Sequence, residues 1–482
     1  MLDLFGPDRL LLGAATSAAA AVCAIAAFSH AVLSKSDVRA AIGWCGIILS
    51  LPFLGPLAYL LFGINRIQRR AGRLFGPAPH QARRTQAATI PTGEDPAGAY
   101  GCSGLARFLD GLGLNRQLAG NSVRPLFSGD EAYGAQLAAI DSARTSVALS
   151  TYIFDHDPTG LQFADALQRA VSRGVMVRVL VDAVGDRYSF PSMVGHLRRR
   201  GVSAAPFNRN RMPWRFPYLN LRNHRKLLVV DGHLAFTGGM NIRHGHRLSE
   251  DVPAAVQDIH FEVAGPVVGD LQSVFAGDWH FATREFLVGE AWFPPLEPVG
   301  EVAARVVEDG PDRNLDRLLW SVMGAIGCAE RRVLIVNPYF LPDAGLDRAL
   351  QVAARRGVDV DILVPEHNNL RLVHRASRAS WRWVLEGGCR IWLTPPPFDH
   401  SKLLLMDDAW SFVGSANLDP RSLRLNFELN IACQCKVLHQ QLAAVVEEKK
   451  SRSTEVTLAM WWKQPRRERI VDGAVRLLSP YL

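Results

Sequence analysis

Two stretches near the start of the chain are almost free of charge, and beyond about residue 120 the hydrophobic spacing alternates between strand-like and helix-like. Residues 10–33 would span roughly 36 Å as a helix at about 1.5 Å per residue, enough for a hydrocarbon core of about 30 Å. Residues 41–64 form a second apolar run, and the short link between Ser34 and Arg39 predicts a membrane hairpin. A cleaved signal peptide fits less well, because Asp3, Asp8 and Arg9 stand where a basic leader region would be and a second apolar run follows at once. A pair of buried core helices is the other alternative. Pro52, Gly55 and Pro56 predict a kink in the second run. Arg66, Arg69, Arg70, Arg73, Arg83 and Arg84 follow it, against Lys35 and Arg39 in the link, so the rest of the chain is expected to face the cytoplasm.

Residues 75–100 are rich in Pro, Gly and Thr and read as a linker. After Val123 the pattern predicts a strand at 146–154, a helix at 160–173 and a buried strand at 175–181; it then repeats as strand 333–340, helix 346–356 and strand 358–364. The glycine that opens the later strand recurs at an offset of 183 (Gly174 and Gly357), and Tyr152 and Tyr339 are 187 apart. Such similar offsets indicate a duplicated lobe. Each copy of strand, crossover helix and strand predicts a mixed sheet flanked by helices. The expected organisation is a hairpin anchor at 1–64, a basic juxtamembrane segment and linker at 65–120, and two α/β lobes at 121–300 and 301–482.

The 482 residues carry a net charge of +8, which makes an anionic lipid surface or a nucleic acid a comfortable neighbour. Seven scattered cysteines without paired metal-site spacing predict a reducing compartment and no structural zinc. Only seven of the 54 basic residues are lysines, yet two of them, Lys226 and Lys402, occupy the same place in a polar repeat. That repeat runs His224-Arg-Lys226, Asp231, Gly238-Gly239-Met-Asn241, and again His400-Ser-Lys402, Asp407, Gly414-Ser415-Ala-Asn417, at an offset of 176. A chain so biased to arginine would use Arg for a generic charge. These positions call for a compact ammonium, such as a phosphate grip needs.

In an extended His-x-Lys segment both side chains fall on one face. The following residues 227–230 and 403–406 read as buried strands, the glycines would let the backbone approach a ligand, and Asn241 and Asn417 could donate to phosphate oxygens. Two histidines about one phosphorus imply a double displacement in which one attacks and the other shuttles a proton, with no acidic metal cluster required. The site then belongs between the lobes. A carboxylate should hold each ring in one tautomer; the candidates are Asp258 (with Glu262 as an alternative) for the first lobe's histidine and Glu428 for the second's. Asp231 and Asp407, at strand ends, suit a local geometric role. Arg209, Arg211, Trp214, Arg215 and Phe216 mix cations and aromatics as an interfacial lip would, although a nucleic-acid groove or a plain loop could use the same residues.

The paired H-x-K-x4-D motifs with G-[GS]-x-N tails resemble those of the phospholipase D superfamily, and the chain is most similar to its bacterial cardiolipin synthases. Asn223-His-Arg-Lys226, Gly414-Ser-Ala-Asn-Leu-Asp-Pro-Arg-Ser422 and Leu425-Asn-Phe-Glu-Leu-Asn430 carry the likeness. The resemblance implies two lobes with a shared site, a phosphatidyl-histidine intermediate, no metal or other cofactor, and transfer between two phosphatidylglycerol molecules at a bacterial inner membrane. Carried onto this chain, it makes His224, Lys226, Asp231, His400, Lys402 and Asp407 catalytic, and it favours His224 as nucleophile. Hydrolysis, transfer to another alcohol and cleavage of nucleic acid are the alternatives within the superfamily, nucleic acid being the partner not expected here. A non-enzymatic scaffold is a further one. Family members commonly show Trp-Arg-Asp where this chain has Val256-Gln257-Asp258, which touches acceptor or head-group preference.

Overall fold

The computed structural model describes residues 7–35, 37–63, 103–208, 221–250, 252, 254–312 and 314–479. The arginines after the second apolar run and the aromatic–basic segment at 209–216 lie outside these residues.

The first apolar run is one continuous helix, Pro7–Ser34, long and apolar enough over Ala14–Ser34 to cross a membrane. The second run is not one helix. It opens as Val38–Ser50, capped by Asp37 accepting the Arg39 N–H at 2.9 Å, breaks at Pro52, and resumes as Leu54–Ala58 followed by a π turn, Tyr59–Gly63. Proline lacks an N–H and its ring collides with the preceding turn, so the kink expected from the sequence becomes a full interruption. Gly55 permits the resulting close packing: a Cβ there would lie 2.4 Å from the Ile47 carbonyl oxygen. His30 Nδ1 and the Tyr59 hydroxyl, 2.8 Å apart, tie the helices together beside buried Ala31 and Ile48.

The rest of the described chain is built on two copies of one plan. The first holds strands β1 (Leu118–Leu126), β2 (Ser146–Thr151), β3 (Met176–Asp182), β4 (Ser203–Phe207), β5 (Arg222–Asn223), β6 (Leu227–Val230), β7 (Leu234–Gly238), β8 (Val256–Gln257) and β9 (His260–Ala264). The second holds β10 (Val302–Asp309), β11 (Arg332–Val336), β12 (Asp359–Pro365), β13 (Arg390–Thr394), β14 (Phe398–Asp399), β15 (Leu403–Met406), β16 (Trp410–Gly414), β17 (Asn426–Gln434) and β18 (Thr454–Val456). Their orders across the sheet, 4-3-2-6-7-9-1 and 13-12-11-15-16-17-10, correspond strand for strand. Strands β2, β3 and β4 run parallel, as do β11, β12 and β13, while the motif strands β6 and β15 pair antiparallel with β2 and β11. The helices Pro158–Ser172 and Ala344–Arg355 make the first crossover in each lobe, each capped by an aspartate, Asp157 and Asp343; Met193–Arg199 and Arg371–Glu386 make the second.

Strand β1 pairs antiparallel with β10, so the two half-sheets form one continuous sheet. Asn121 pins this seam, donating to the Val302 carbonyl at 3.1 Å and accepting the Val267 N–H at 2.8 Å. Each lobe keeps its own core, around Phe163, Val179 and Leu228 in the first and around Ile335, Ile362 and Leu404 in the second. The strands of the H-x-K motifs, β6 and β15, are buried throughout, as their apolar runs predict. One part of the expected linker proves structured: Ser103–Gly111 is a helix whose Leu105 and Leu109 sit in the second lobe's core.

Candidate active site

His224 and His400 are brought together between the lobes by two short crossed pairings. Strand β5, just ahead of His224, runs parallel to the start of β17, so that the His224 N–H donates to the Phe427 carbonyl at 2.9 Å. Strand β14, just ahead of His400, runs parallel to β8, and the His400 N–H donates to the Gln257 carbonyl at 2.8 Å. The segment entering each histidine is thereby clamped to the segment entering the other lobe's carboxylate. At Val256-Gln257-Asp258, where the chain departs from the common pattern, the middle residue serves through its backbone.

The consequence reverses the pairing expected from sequence position. His224 Nδ1 lies 2.9 and 3.0 Å from the two oxygens of Glu428, and His400 Nδ1 lies 2.8 Å from Asp258 Oδ2. Each imidazole is held by the opposite lobe's carboxylate, because Asp258 and Glu428 follow the strands that cross over, not the strands that carry their own histidine. Glu262, the alternative to Asp258, instead forms a bidentate surface pair with Arg124.

The two carboxylates differ in setting. Glu428 also accepts from the Ser415 hydroxyl at 2.5 Å and the Asn426 amide at 3.1 Å. Burial pushes its carboxyl up, but His224, Lys226 and the Ser415 hydroxyl outweigh burial and hold it below the usual range. Asp258 has the Ile259 N–H at 2.8 Å besides His400, and there burial prevails over Lys402 and His246, so its carboxyl is raised. Lone-pair neutralisation by several donors is what separates the two.

Both lysines are buried. Lys226 Nζ donates to the His224 carbonyl at 2.7 Å, and Lys402 Nζ donates to the His400 carbonyl and stands 3.1 Å from both nitrogens of the His400 ring. Burial lowers Lys226 to about 7 and Lys402 to about 8, and each lysine's charge adds to the lowering of the other or of the histidines. His224 is lowered by burial against the pull of Glu428; His400 is lowered further by burial together with Lys402, Lys226 and His224. An array with this much positive charge in so little water calls for an anion. Tyr152 and Tyr339, recognisable in the sequence only as repeat landmarks, wall the site, with rings edge-on to His224 and His400 at 5.2 and 6.0 Å.

The glycines of the motif act differently from expectation. A Cβ on Gly239 would lie 2.5 Å from Asp258 Oδ2, and Cβ atoms on Gly238 and Gly414 would strike His260 and the Leu429 carbonyl. These glycines therefore make room for the carboxylate strands rather than for a ligand. In the second lobe the equivalent of Gly239 is Ser415, whose hydroxyl donates to Glu428. Asn241 accepts the Ile153 N–H at 3.2 Å through its side-chain oxygen, and Asn417 is buried with its Oδ1 unbonded among the described residues. Arg225, between the motif's histidine and lysine, braces the lobes by pairing with Asp278 at 2.7 Å and donating to the Glu428 carbonyl; in the other lobe Lys449 holds Asp399 and Ser401.

Asp231 and Asp407 are not at the reacting centre. Five residues along an extended chain from each lysine is roughly 16 Å. Asp231 accepts the N–H groups of Arg144, Thr145 and Ser146 at 2.8–3.1 Å, and Asp407 those of Glu330, Arg331 and Arg332 at 2.8–3.3 Å. Each ties off the turn that leads into β2 or β11. Burial raises Asp231, but the three amides and the Thr145 hydroxyl more than offset it, leaving the carboxyl below its ordinary value. A depressed folded-state value means stability that is complete above the unfolded value of about 4 and lost as pH falls from there through the lower folded-state value. Asp231→Asn should accordingly lower the thermal midpoint at pH 7, by an amount equivalent to about 1–2 kcal/mol, with that deficit narrowing toward pH 3. Turnover per folded molecule should change less than about threefold; a collapse of kcat at unchanged midpoint would return Asp231 to the chemistry.

The family described as "Cardiolipin synthase, PLD-like domain" matches residues 137–279 and 322–450, covering both motifs, and "Phospholipase_D-nuclease N-terminal" matches residues 22–63. The chain is 32% identical to cardiolipin synthase A of Pseudomonas fluorescens (strain SBW25), over all of both chains, and 31% identical to the cardiolipin synthase of Geobacillus thermodenitrificans (strain NG80-2), over 92% of this chain and 88% of that one. Among solved structures, phosphatidylserine synthase of Haemophilus influenzae shares the fold, with a TM-score of 0.56 at 14% identity over 78% of this chain and all of that one. With both repeats matched and relatives similar from end to end, the chain belongs to the phospholipase D-like cardiolipin synthase family.

Proposed function

We propose that the chain transfers a phosphatidyl group from one phosphatidylglycerol to the terminal hydroxyl of another, releasing glycerol. It is a phosphatidyltransferase of the cardiolipin synthase type, membrane-associated and acting on phospholipid. The observation that carries the finer reading is the facing pair of histidines, each tautomer-locked by the opposite lobe, with two buried lysines beside them.

His224 is the nucleophile in this reading. Glu428, held ionised by three donors, fixes its proton on Nδ1, and its Nε2 has no hydrogen-bond partner among the described residues, whereas the Lys402 ammonium lies against the His400 ring, 3.1 Å from both of its nitrogens. Nε2 attacks phosphorus as the bond to the head-group glycerol oxygen breaks, and protonated His400 gives its proton to that oxygen. The phosphodiester anion offsets the two ammonium charges that suppress protonation of His400. In the second step the second lipid's hydroxyl loses its proton to His400 and attacks, and the phosphorus–nitrogen bond breaks. Lys226 and Lys402 stabilise charge on the oxygens that do not react.

Asp258 and Glu428 are positioning residues, as are Gly238, Gly239, Gly414, Ser415, Asn241 and Asn417; Asp231 and Asp407 support the lobes. The lobes are assigned to about 121–300 and 301–482. Both apolar runs are read as membrane-embedded, with the lobes on the cytoplasmic side. Reconstituted full-length protein given labelled phosphatidylglycerol should yield equal amounts of cardiolipin and glycerol. Phosphatidic acid as sole product would mean that water is the acceptor. Because the lysines must be charged to grip phosphate, and lose their protons near 7 and 8 in the free enzyme, kcat/KM should decline as pH rises through 7 to 8.5. A profile flat to pH 10 would show that neither lysine carries this task.

A further inference from the structure

Two loops, one per lobe, carry large apolar side chains into solvent at equivalent places beside the site. In the first lobe the loop after β3 presents Tyr188, 62% exposed, and Phe190, 99% exposed. It is anchored next to the site: Ser189 donates to Asp155 at 2.7 Å, and the Tyr188 ring lies 6.3 Å from Tyr152, which stands 5.2 Å from His224. In the second lobe the loop after β12 and the first turn of the helix that follows it, Arg371–Glu386, present Leu370, 47% exposed, and Leu372, 51% exposed. Its anchor is the counterpart: Asn369 accepts from the Tyr339 hydroxyl at 2.8 Å, Asn368 donates to the Pro338 carbonyl at 2.7 Å, and Tyr339 stands 6.0 Å from His400.

Exposed apolar residues are common singly, but a phenylalanine with no covering atoms, matched across a pseudo-twofold by two leucines, is not. Each group also has an exposed arginine as neighbour, Arg187 on one side and Arg371 on the other. Apolar tips flanked by cations suit the boundary between anionic head groups and acyl chains, and would be a liability against water or a polar polymer.

Resting on the phosphatidyltransfer reading, we propose that these loops are the two sides of a membrane-contacting rim, with Phe190 on one side and Leu370 and Leu372 on the other entering the acyl boundary of an anionic bilayer. The rim brings the site down to the depth of the phosphates, so both lipids need to rise only partly out of the leaflet. The apolar helix at the amino end keeps the chain at a membrane; the rim decides how the site meets it.

The test uses full-length protein in proteoliposomes of phosphatidylglycerol, comparing wild type with Phe190→Ser/Leu370→Ser/Leu372→Ser. Turnover of bilayer phosphatidylglycerol should fall by about tenfold or more. Transfer between short-chain phosphatidylglycerol molecules below their micellar concentration, in detergent solution, should stay within about twofold. Amide exchange in segments 185–192 and 366–372 should slow when the wild type is moved from neutral detergent into the anionic bilayer. Equal losses on both substrates would mean the loops shape the site itself, and unchanged bilayer turnover with unchanged exchange would remove the rim. Slowed exchange that depends on protein concentration in detergent alone would assign the surface to a second copy of the chain. If wild type makes no cardiolipin from either substrate, the failure lies with the transfer reading, and the exchange result still judges the rim.

Discussion

Glu428→Gln should leave a folded, lipid-binding protein that forms its covalent intermediate about 10³- to 10⁴-fold more slowly. The carboxylate receives three donors: His224 Nδ1–H, the Ser415 hydroxyl and the Asn426 amide. A glutamine offers one oxygen and one NH2 group to the same three, so one donor must face another, and the negative charge that supports a positive imidazole in the transition state is gone. Although Glu428 belongs to the second lobe, the damaged histidine is in the first. A donor lipid with a p-nitrophenol leaving group makes this visible, since it needs no proton from His400: Glu428→Gln should abolish the rapid burst of p-nitrophenol. Asp258→Asn, which acts on His400, should keep the burst and slow the transfer that follows. The opposite pattern would exchange the roles of the two histidines.

Removing the histidines themselves should have the largest effects of all, and unequal ones. His224→Ala leaves no nucleophile, so transfer should fall by at least about 10⁴-fold with either leaving group. His400→Ala should lose about 10²- to 10⁴-fold with natural phosphatidylglycerol, the range expected for a positioned acid–base group. With p-nitrophenol as leaving group much of that loss should be recovered in the first step. The intermediate should then persist on His224, where mapping of labelled peptides would find it. Label on a peptide containing residue 400 in the Asp258→Asn protein would overturn the assignment.

Much of this arrangement is legible in the sequence because it depends on local periodicity and on duplication. The apolar runs of β6 and β15, the crossover helices and the equivalence of the lobes follow from spacing alone. What spacing cannot convey is which lobe a side chain serves. Asp258 and Glu428 were identifiable as partners for histidines, but sequence offset places each with its own lobe, while the parallel pairing of β5 with β17 and of β14 with β8 sends each across. The glycines of the repeat resemble ligand-binding glycines in sequence, since a backbone that must approach a phosphate and one that must approach a neighbouring carboxylate ask for the same missing Cβ. Asp231 and Asp407 recur as faithfully as the lysines because a turn with three amide N–H donors to satisfy is as demanding as a reaction. The break in the second apolar run was signalled by Pro52, but its extent depends on how Gly55 packs against Ile47.

The crossed clamps at Phe427 and Gln257 also make each lobe dependent on the other. A single lobe of this plan holds a histidine whose orienting carboxylate is missing and a carboxylate with no histidine to orient. Two separate lobes of this plan could complete each other's centres only as a symmetric pair, so the chain between them acts as a tether on an interface the pairings already require. The two halves differ at the serine at position 415, opposite the glycine at 239: its hydroxyl gives Glu428 a donor where Asp258 has only the space left by a missing Cβ.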